Sequence, residues 1–375
     1  MGRRVLWAVG LTVVLLVAAF LVLPQLGHGP RTVEEPRAPA VRTPAGIPIG
    51  VAFGDRLRTL SDDDLASALD DTVALGAGWV RVDVSWAVVQ PDSRTAYDWS
   101  GTDRVVRAAR DRGLRVLGIL TYTPPWARAE GCTTFTCPPR DASEFAAYAG
   151  AVAGRYGDRV AAYELWNEPN TSKFWTSPDP VAYRALLRAT VPRIEAAAPG
   201  KPVVLGGLAA NPGGDGVVLA PDFLTSACAE EACAGLAGVG YHPYTFPETA
   251  VDSTADVTAW QRMTQPSAWG EPLDDVMTQV GLDDRRLWLT EYGAPADVSG
   301  RPSGCASCVT EEQQARIVAS GVTAAVAAPD VVGALFVYSW RDLGSGPSPE
   351  DHFGLVRADG SRKPAFAAFA RAARR

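Results

Sequence analysis

From Ile47 to the C-terminus the chain alternates, again and again, between short apolar runs of strand length and longer segments of helical period. The runs predicted as strands are Ile47 to Phe53, Gly78 to Ser85, Arg115 to Thr121, Val160 to Trp166, Val203 to Gly207, Leu236 to His242, Arg286 to Thr290 and Val332 to Trp340. Helices are predicted over Ser61 to Leu75, Tyr97 to Arg112, Ala142 to Tyr156, Pro180 to Ala198, Leu273 to Val280, Glu311 to Ala327 and Pro364 to Ala373. Ser61 followed by three aspartates reads as an N-cap with acidic residues at the positive end of the helix dipole. Strands separated by helices pair in parallel, through right-handed crossovers. Eight of them leave no open edge only if the sheet closes. The expected fold is therefore a (β/α)8 barrel in one domain, residues 47–375, which builds its site where the strands end.

Two of those strands end in a carboxylate. Ala161-Ala-Tyr-Glu-Leu-Trp-Asn-Glu-Pro-Asn170 carries Glu168 at its end, and Arg286-Leu-Trp-Leu-Thr-Glu-Tyr-Gly293 carries Glu291. A carboxylate there is costly unless it is solvated, paired or used. Strict alternation along the fourth strand would put Glu164, Trp166 and Glu168 on one face. On the second strand Arg81 and Asp83 share parity, so both can face the barrel interior.

Trp166-Asn167-Glu168-Pro169 resembles the acid/base motif that ends strand four in clan A glycoside hydrolases. Thr290-Glu291-Tyr292-Gly293 resembles the nucleophile motif of their strand seven. The similarity runs from about Ile47 to the C-terminus and is nearest to families 39 and 5, the xylosidase-like and cellulase-like branches. It implies a retaining glycosidase in which Glu168 is the acid/base and Glu291 the nucleophile. The acid must keep its proton near neutrality while the nucleophile stays ionised.

The same resemblance assigns supporting parts. Arg81 corresponds to the strand-two arginine that holds the nucleophile ionised, and Asn167 to the partner of a sugar 2-hydroxyl. His242 and Tyr244, in Tyr241-His-Pro-Tyr244, match a His-x-Tyr pair beside the glutamates. Trp340 takes the place of an aromatic platform under the sugar. Trp126, in Tyr122-Thr-Pro-Pro-Trp126, belongs to a loop similar to that of family 39-like members, and departs from family 5, which has a histidine near that point. Glu164 is expected to be a barrel-interior partner, with Arg81 as its counterpart. One or two of Trp86, Trp175, Trp260 and Trp269 are expected to stack on sugar rings. Two other readings stand beside hydrolysis: a membrane-tethered carbohydrate-binding pseudoenzyme, and a transglycosidase using the same two glutamates.

Charge narrows the partners. The formal net charge is −7, and after Ala45 there are 30 basic residues against 40 acidic ones. Phosphate binding needs a basic face, so a nucleic-acid partner is not expected and a sugar polymer fits better. There is no Gly-x-Ser-x-Gly or His-Glu-x-x-His, and Asn211-Pro-Gly-Gly-Asp-Gly216 lacks the Gly-Lys-Ser/Thr of a phosphate loop. No cofactor or metal is expected, and the chain is expected to be a monomer.

The six cysteines fall into neighbouring pairs: Cys132 and Cys137, Cys228 and Cys233, Cys305 and Cys308. Their scatter over the chain favours three local disulfides over a zinc site, in an oxidising compartment. Fifteen pairings remain open to sequence alone. Arg3 and Arg4 precede an uncharged run of 19 residues from Val5 to Leu23, long enough to span a bilayer. No small-x-small cleavage site follows directly, so residues 1–23 read as a signal anchor with the remainder outside. A cleaved signal peptide and secretion are the alternative. Residues 24–46, rich in Pro and Arg, read as an extended linker.

Overall fold

The computed structural model describes residues 46–211, 213–252, 257–297 and 305–374. The expected anchor over 1–23 lies outside these residues, as does the linker except for Gly46. Among the described residues no helix is long and apolar enough to cross a membrane.

Eight parallel strands close into a barrel. They are β1 (Ile49–Gly54), β2 (Trp79–Ser85), β3 (Arg115–Thr121), β4 (Ala162–Asn167), β5 (Val203–Ala209), β6 (Gly238–His242), β7 (Arg286–Tyr292) and β8 (Val332–Tyr338). Each pairs with its neighbours in sequence, and β1 closes against β8. Every strand is followed by a helix, and Ala142–Tyr156 and Glu311–Ala327 keep their expected bounds. Ser61 caps Asp62–Ala74 by accepting from the Asp64 amide.

Two departures have local causes. The helix expected from Tyr97 begins at Ser100, because the Asp98 carboxylate takes the Ser100 amide at 2.9 Å and ends the turn there. Ala220–Ala227, between β5 and β6, was not expected as a helix. Its two turns are too short to show a period, and it is fixed by burial of Phe223 and Leu224.

The barrel interior sorts by height. Trp79, Trp288 and Phe336 fill its lower part with edge-to-face pairs 6.2 and 6.4 Å apart. Glycine makes the room, since a Cβ on Gly238 would stand 2.7 Å from Trp288. Above this apolar plug the inward positions become charged: Arg81 on β2 and Glu164 on β4, both almost fully buried. Buried charge is tolerated only when paired and hydrogen-bonded, so everything above the plug is organised by polar contacts.

The three disulfides join the neighbouring pairs: Cys132–Cys137, Cys228–Cys233 and Cys305–Cys308. The first staples the loop after β3, the second the turn before β6. The third closes a four-residue loop before the helix Glu311–Ala327.

Candidate active site

The hub is Glu164, two residues up β4 from Ala162. Its carboxylate accepts from Arg81 Nε at 2.6 Å and Nη2 at 3.2 Å, from the Thr290 hydroxyl at 2.9 Å and from the Gly207 amide at 2.9 Å. Four donors on one fully buried carboxylate satisfy its lone pairs. Arg81 spends its other donors upward, on Glu291 Oε1 at 2.6 Å and Asn167 Oδ1 at 2.9 Å. The guanidinium stays charged despite its burial, because Glu164 and Glu291 both raise its pKa. Glu164 thus fills the expected role of interior partner to Arg81. Asp83, which shares its parity, makes no ion pair with Arg81 among the described residues.

Strict alternation fails at the top of β4. Trp166 adopts φ +76° and Glu168 φ +40°, both left-handed. The Trp166 turn throws its indole outward, against Trp175 at 5.0 Å and Phe145 at 5.8 Å, with Nε1 donating to the Phe174 carbonyl. Asn167 faces inward instead. Glu168 is then brought back over the mouth, its amide held by the Gly207 carbonyl at 2.9 Å. Asn170 pins the following loop: it donates to the Ala209 and Val218 carbonyls and accepts from the Ala209 amide. Such strain persists only where surrounding bonds over-determine it.

His242, at the end of β6, joins the two glutamates. Its Nδ1 lies 2.8 Å from Glu168 Oε1 and 3.8 Å from Glu291 Oε2, and its Nε2 lies 3.0 Å from the Thr290 hydroxyl. The Thr290 proton is given to Glu164, so this hydroxyl accepts from Nε2–H. With Nε2 turned to Thr290, the contact between Nδ1 and Glu168 Oε1 is the path along which a proton can pass between the two residues. Tyr244 donates to Glu291 Oε2 at 2.8 Å. Burial alone would raise the Glu291 carboxyl. The charges of His242 and Arg81 and the Tyr244 bond outweigh it and hold the pKa below the ordinary 4.5. One oxygen of Glu168, one of Glu291 and a His242 nitrogen all lie within 4.8 Å of one another. The Glu291 carboxylate, held ionised, therefore faces the Glu168 carboxyl across His242.

The two carboxylates and His242 are spaced as metal ligands can be. Arg81 and Tyr244 already occupy both Glu291 oxygens, and Nδ1 is committed to Glu168, so the set is built for a proton rather than a cation. The sulfurs of Cys305 and Cys308, near His352, are joined to each other and are not thiolates.

The depressed carboxyl has a measurable sign. If Glu291 must be ionised to react, kcat/KM on an activated aryl glycoside should hold as pH falls and drop only below 4.5. An acid limb centred above that value contradicts the arrangement. The same depression stabilises the fold at higher pH and is lost as pH falls through the folded-state pKa.

Two expected parts lie elsewhere. Trp340 is buried, stands two residues past the end of β8 and donates Nε1 to Asp71 on the first helix at 2.9 Å. β8 ends at Tyr338, and it is Tyr338 that faces inward above Phe336. Burial, then the Glu291 charge, raises its phenol pKa. Trp126 packs edge-on to Trp86 at 5.4 Å and donates to the Gln90 carbonyl. Trp86, Trp175 and Trp260 are core residues. Trp269 is half-buried and lines a small side pocket with Arg262 and Glu271.

Gly207 was not singled out by sequence reasoning. A Cβ there would stand 2.1 Å from His242 Nε2 and 2.7 Å from the Thr290 hydroxyl. The available signal was the Gly206–Gly207 pair inside a buried strand, which marks close approach by another group. Gly207→Ala should displace the imidazole by the better part of an ångström and lower kcat/KM by about 10²-fold. Unchanged kinetics in a folded variant would rule out this packing.

No family model and no curated protein matches the chain. Solved structures do match its fold. A family 39 glycoside hydrolase from the gut symbiont Bacteroides cellulosilyticus WH2 is 22% identical, with a TM-score of 0.66, over 87% of this chain and 63% of its own. A GH39 beta-xylosidase from Caulobacter crescentus is 21% identical, with a TM-score of 0.62, over 88% of this chain and 72% of its own. GH5_18 from Streptomyces cattleya in complex with GlcNAc is 22% identical, with a TM-score of 0.66, over 88% of this chain and 80% of its own. The chain thus shares with these proteins the (β/α)8 fold that places Glu168 and Glu291 at one mouth.

Proposed function

We propose that this chain is a retaining glycoside hydrolase that cleaves O-glycosidic bonds of a poly- or oligosaccharide by double displacement. The observation that carries the reading is that one oxygen of Glu168 lies within 4.8 Å of one oxygen of Glu291. That spacing agrees with the close pair of a retaining enzyme, about 5–5.5 Å, rather than the wider pair of an inverting one. The kinship in fold with glycoside hydrolases supports it.

In the first step Glu291 attacks the anomeric carbon. The bond to the leaving oxygen breaks as Glu168 delivers its proton. A glycosyl ester on Glu291 results. In the second step Glu168, now a carboxylate, takes a proton from water. The water oxygen bonds to the anomeric carbon and Glu291 departs as a carboxylate. Arg81 and Tyr244 stabilise the Glu291 charge at both ends of the cycle. The Asn167 amide NH2, which makes no hydrogen bond among the described residues, is free for the sugar 2-hydroxyl.

Proton NMR of the first-formed sugar from an aryl glycoside tests the reading. Retention of anomeric configuration is expected, and inversion would overturn double displacement. The three disulfides and the apolar segment over 1–23 support an extracytoplasmic enzyme anchored to the membrane. Loss of the protein from the membrane fraction after an alkaline wash would count against the anchor.

A further inference from the structure

One polar pair at the mouth is used by none of these steps. Asp83 sits on β2 one rung above Arg81, with the same inward parity, opposite Ile119 of β3. It makes no hydrogen bond or ion pair among the described residues, although it is partly covered. Its surroundings are largely anionic. Burial, together with Asp55, Glu291 and Glu164, pushes its carboxyl up to about 7 against the pull of Arg81. Tyr122, the residue after β3, stands beside it in a left-handed conformation, φ +65°. The Tyr122 ring is held edge-on by Phe135 at 4.9 Å, and Phe135 belongs to the loop stapled by Cys132–Cys137. The Tyr122 hydroxyl is likewise unpartnered among the described residues. Burial and the neighbouring Asp83 charge raise its pKa.

A carboxylate offers about four acceptor positions, and leaving them empty in a covered site is costly. We infer that Asp83, with the Tyr122 hydroxyl, binds ring hydroxyls of the sugar lying over Glu291 and makes the site specific for a neutral pentose or hexose. Above about pH 7, where Asp83 carries its charge, a uronic acid would bring a further negative charge against Asp83, Asp55 and Glu291 and be rejected. The inference rests on the glycosidase reading above and adds a specificity residue to it.

The test uses the wild type and Asp83→Asn on aryl glycosides of neutral pentoses and hexoses, then on deoxy analogues of the best substrate, each lacking one hydroxyl. Asp83→Asn should lower kcat/KM by about 10- to 100-fold on the parent sugar. The loss should shrink to a few-fold on the one or two analogues without the contacted hydroxyl. The aryl uronide should remain a poor substrate of the wild type and improve relative to the parent in the variant. A loss spread evenly over all analogues means a structural role and overturns the inference, as does no loss. If Asp83→Asn does not fold, Tyr122→Phe is read on the same series by the same criteria. A wild type that turns over while Asp83 and Tyr122 show no hydroxyl dependence leaves the glycosidase standing and this inference fallen. A wild type inactive on every glycoside fells both.

Discussion

Glu291→Gln is expected to abolish turnover while leaving the fold and sugar binding intact. The side chain keeps its shape. Its carbonyl oxygen can still accept from Arg81, and its NH2 can donate to the Tyr244 oxygen, so neither neighbour is left unpaired. What is lost is the nucleophile, and losses of a reacting group run to about 10⁴-fold or more in kcat. Stopped assays on an activated aryl glycoside, with a thermal melt as control, read this directly. A folded variant within tenfold of wild type would remove Glu291 from the reaction.

Glu168→Ala should behave differently. With a poor leaving group it should lose about 10²–10⁴-fold, the usual worth of general acid–base catalysis. With a good leaving group the first step needs no proton, and the glycosyl ester should accumulate because no base activates water. Azide needs no base. It should displace Glu291 at the anomeric carbon, restore turnover and give a glycosyl azide of retained configuration. Absence of rescue would place Glu168 outside the acid/base role.

Arg81→Met should give the largest loss of stability. The guanidinium is 1% exposed and its partner Glu164 is 0% exposed. Breaking a buried pair from one side costs about 3–5 kcal/mol, because the remaining carboxylate is left charged without a partner. For a domain of this size that is a fall of about 4–7 °C in Tm. Without the Arg81 charge the Glu291 pKa should also rise, moving the acid limb of the pH profile upward. The double variant Arg81→Met/Glu164→Leu separates the two effects. Removing the orphaned carboxylate should restore much of the stability but none of the activity, since Glu291 still lacks its partner. A single variant as stable as wild type would contradict the paired network.

Much of this was legible along the chain because it rests on local rules. Apolar runs of strand length marked all eight strands. Ser61 and the aspartates after it marked a helix start, and the carboxylates at strand ends marked the mouth. Neighbouring cysteines were favoured as pairs by their short spacing, and the structure joins them so. Errors arose where the backbone leaves regular geometry. Alternation assigned Trp166 to the inner face, but a left-handed residue reverses the side on which the next one emerges. Trp340 was placed at a strand end that lies two residues earlier, so Tyr338 has the inward position. Gly207 carried no side chain to attract notice, yet its missing Cβ is the space His242 occupies.

The sequence by itself determined the alternation of elements and the residues at the strand ends, since period and composition are properties of neighbours in the chain. Only the tertiary structure decided that Glu164 rather than Asp83 pairs with Arg81, that His242 stands in hydrogen-bond contact with Glu168, and that Asp83 is left facing the mouth unpartnered among the described residues. Those outcomes depend on contacts between strands 43 to 210 residues apart. Barrel closure alone brings such side chains within a hydrogen bond of each other, and burial then makes every unpaired charge costly enough to fix the arrangement.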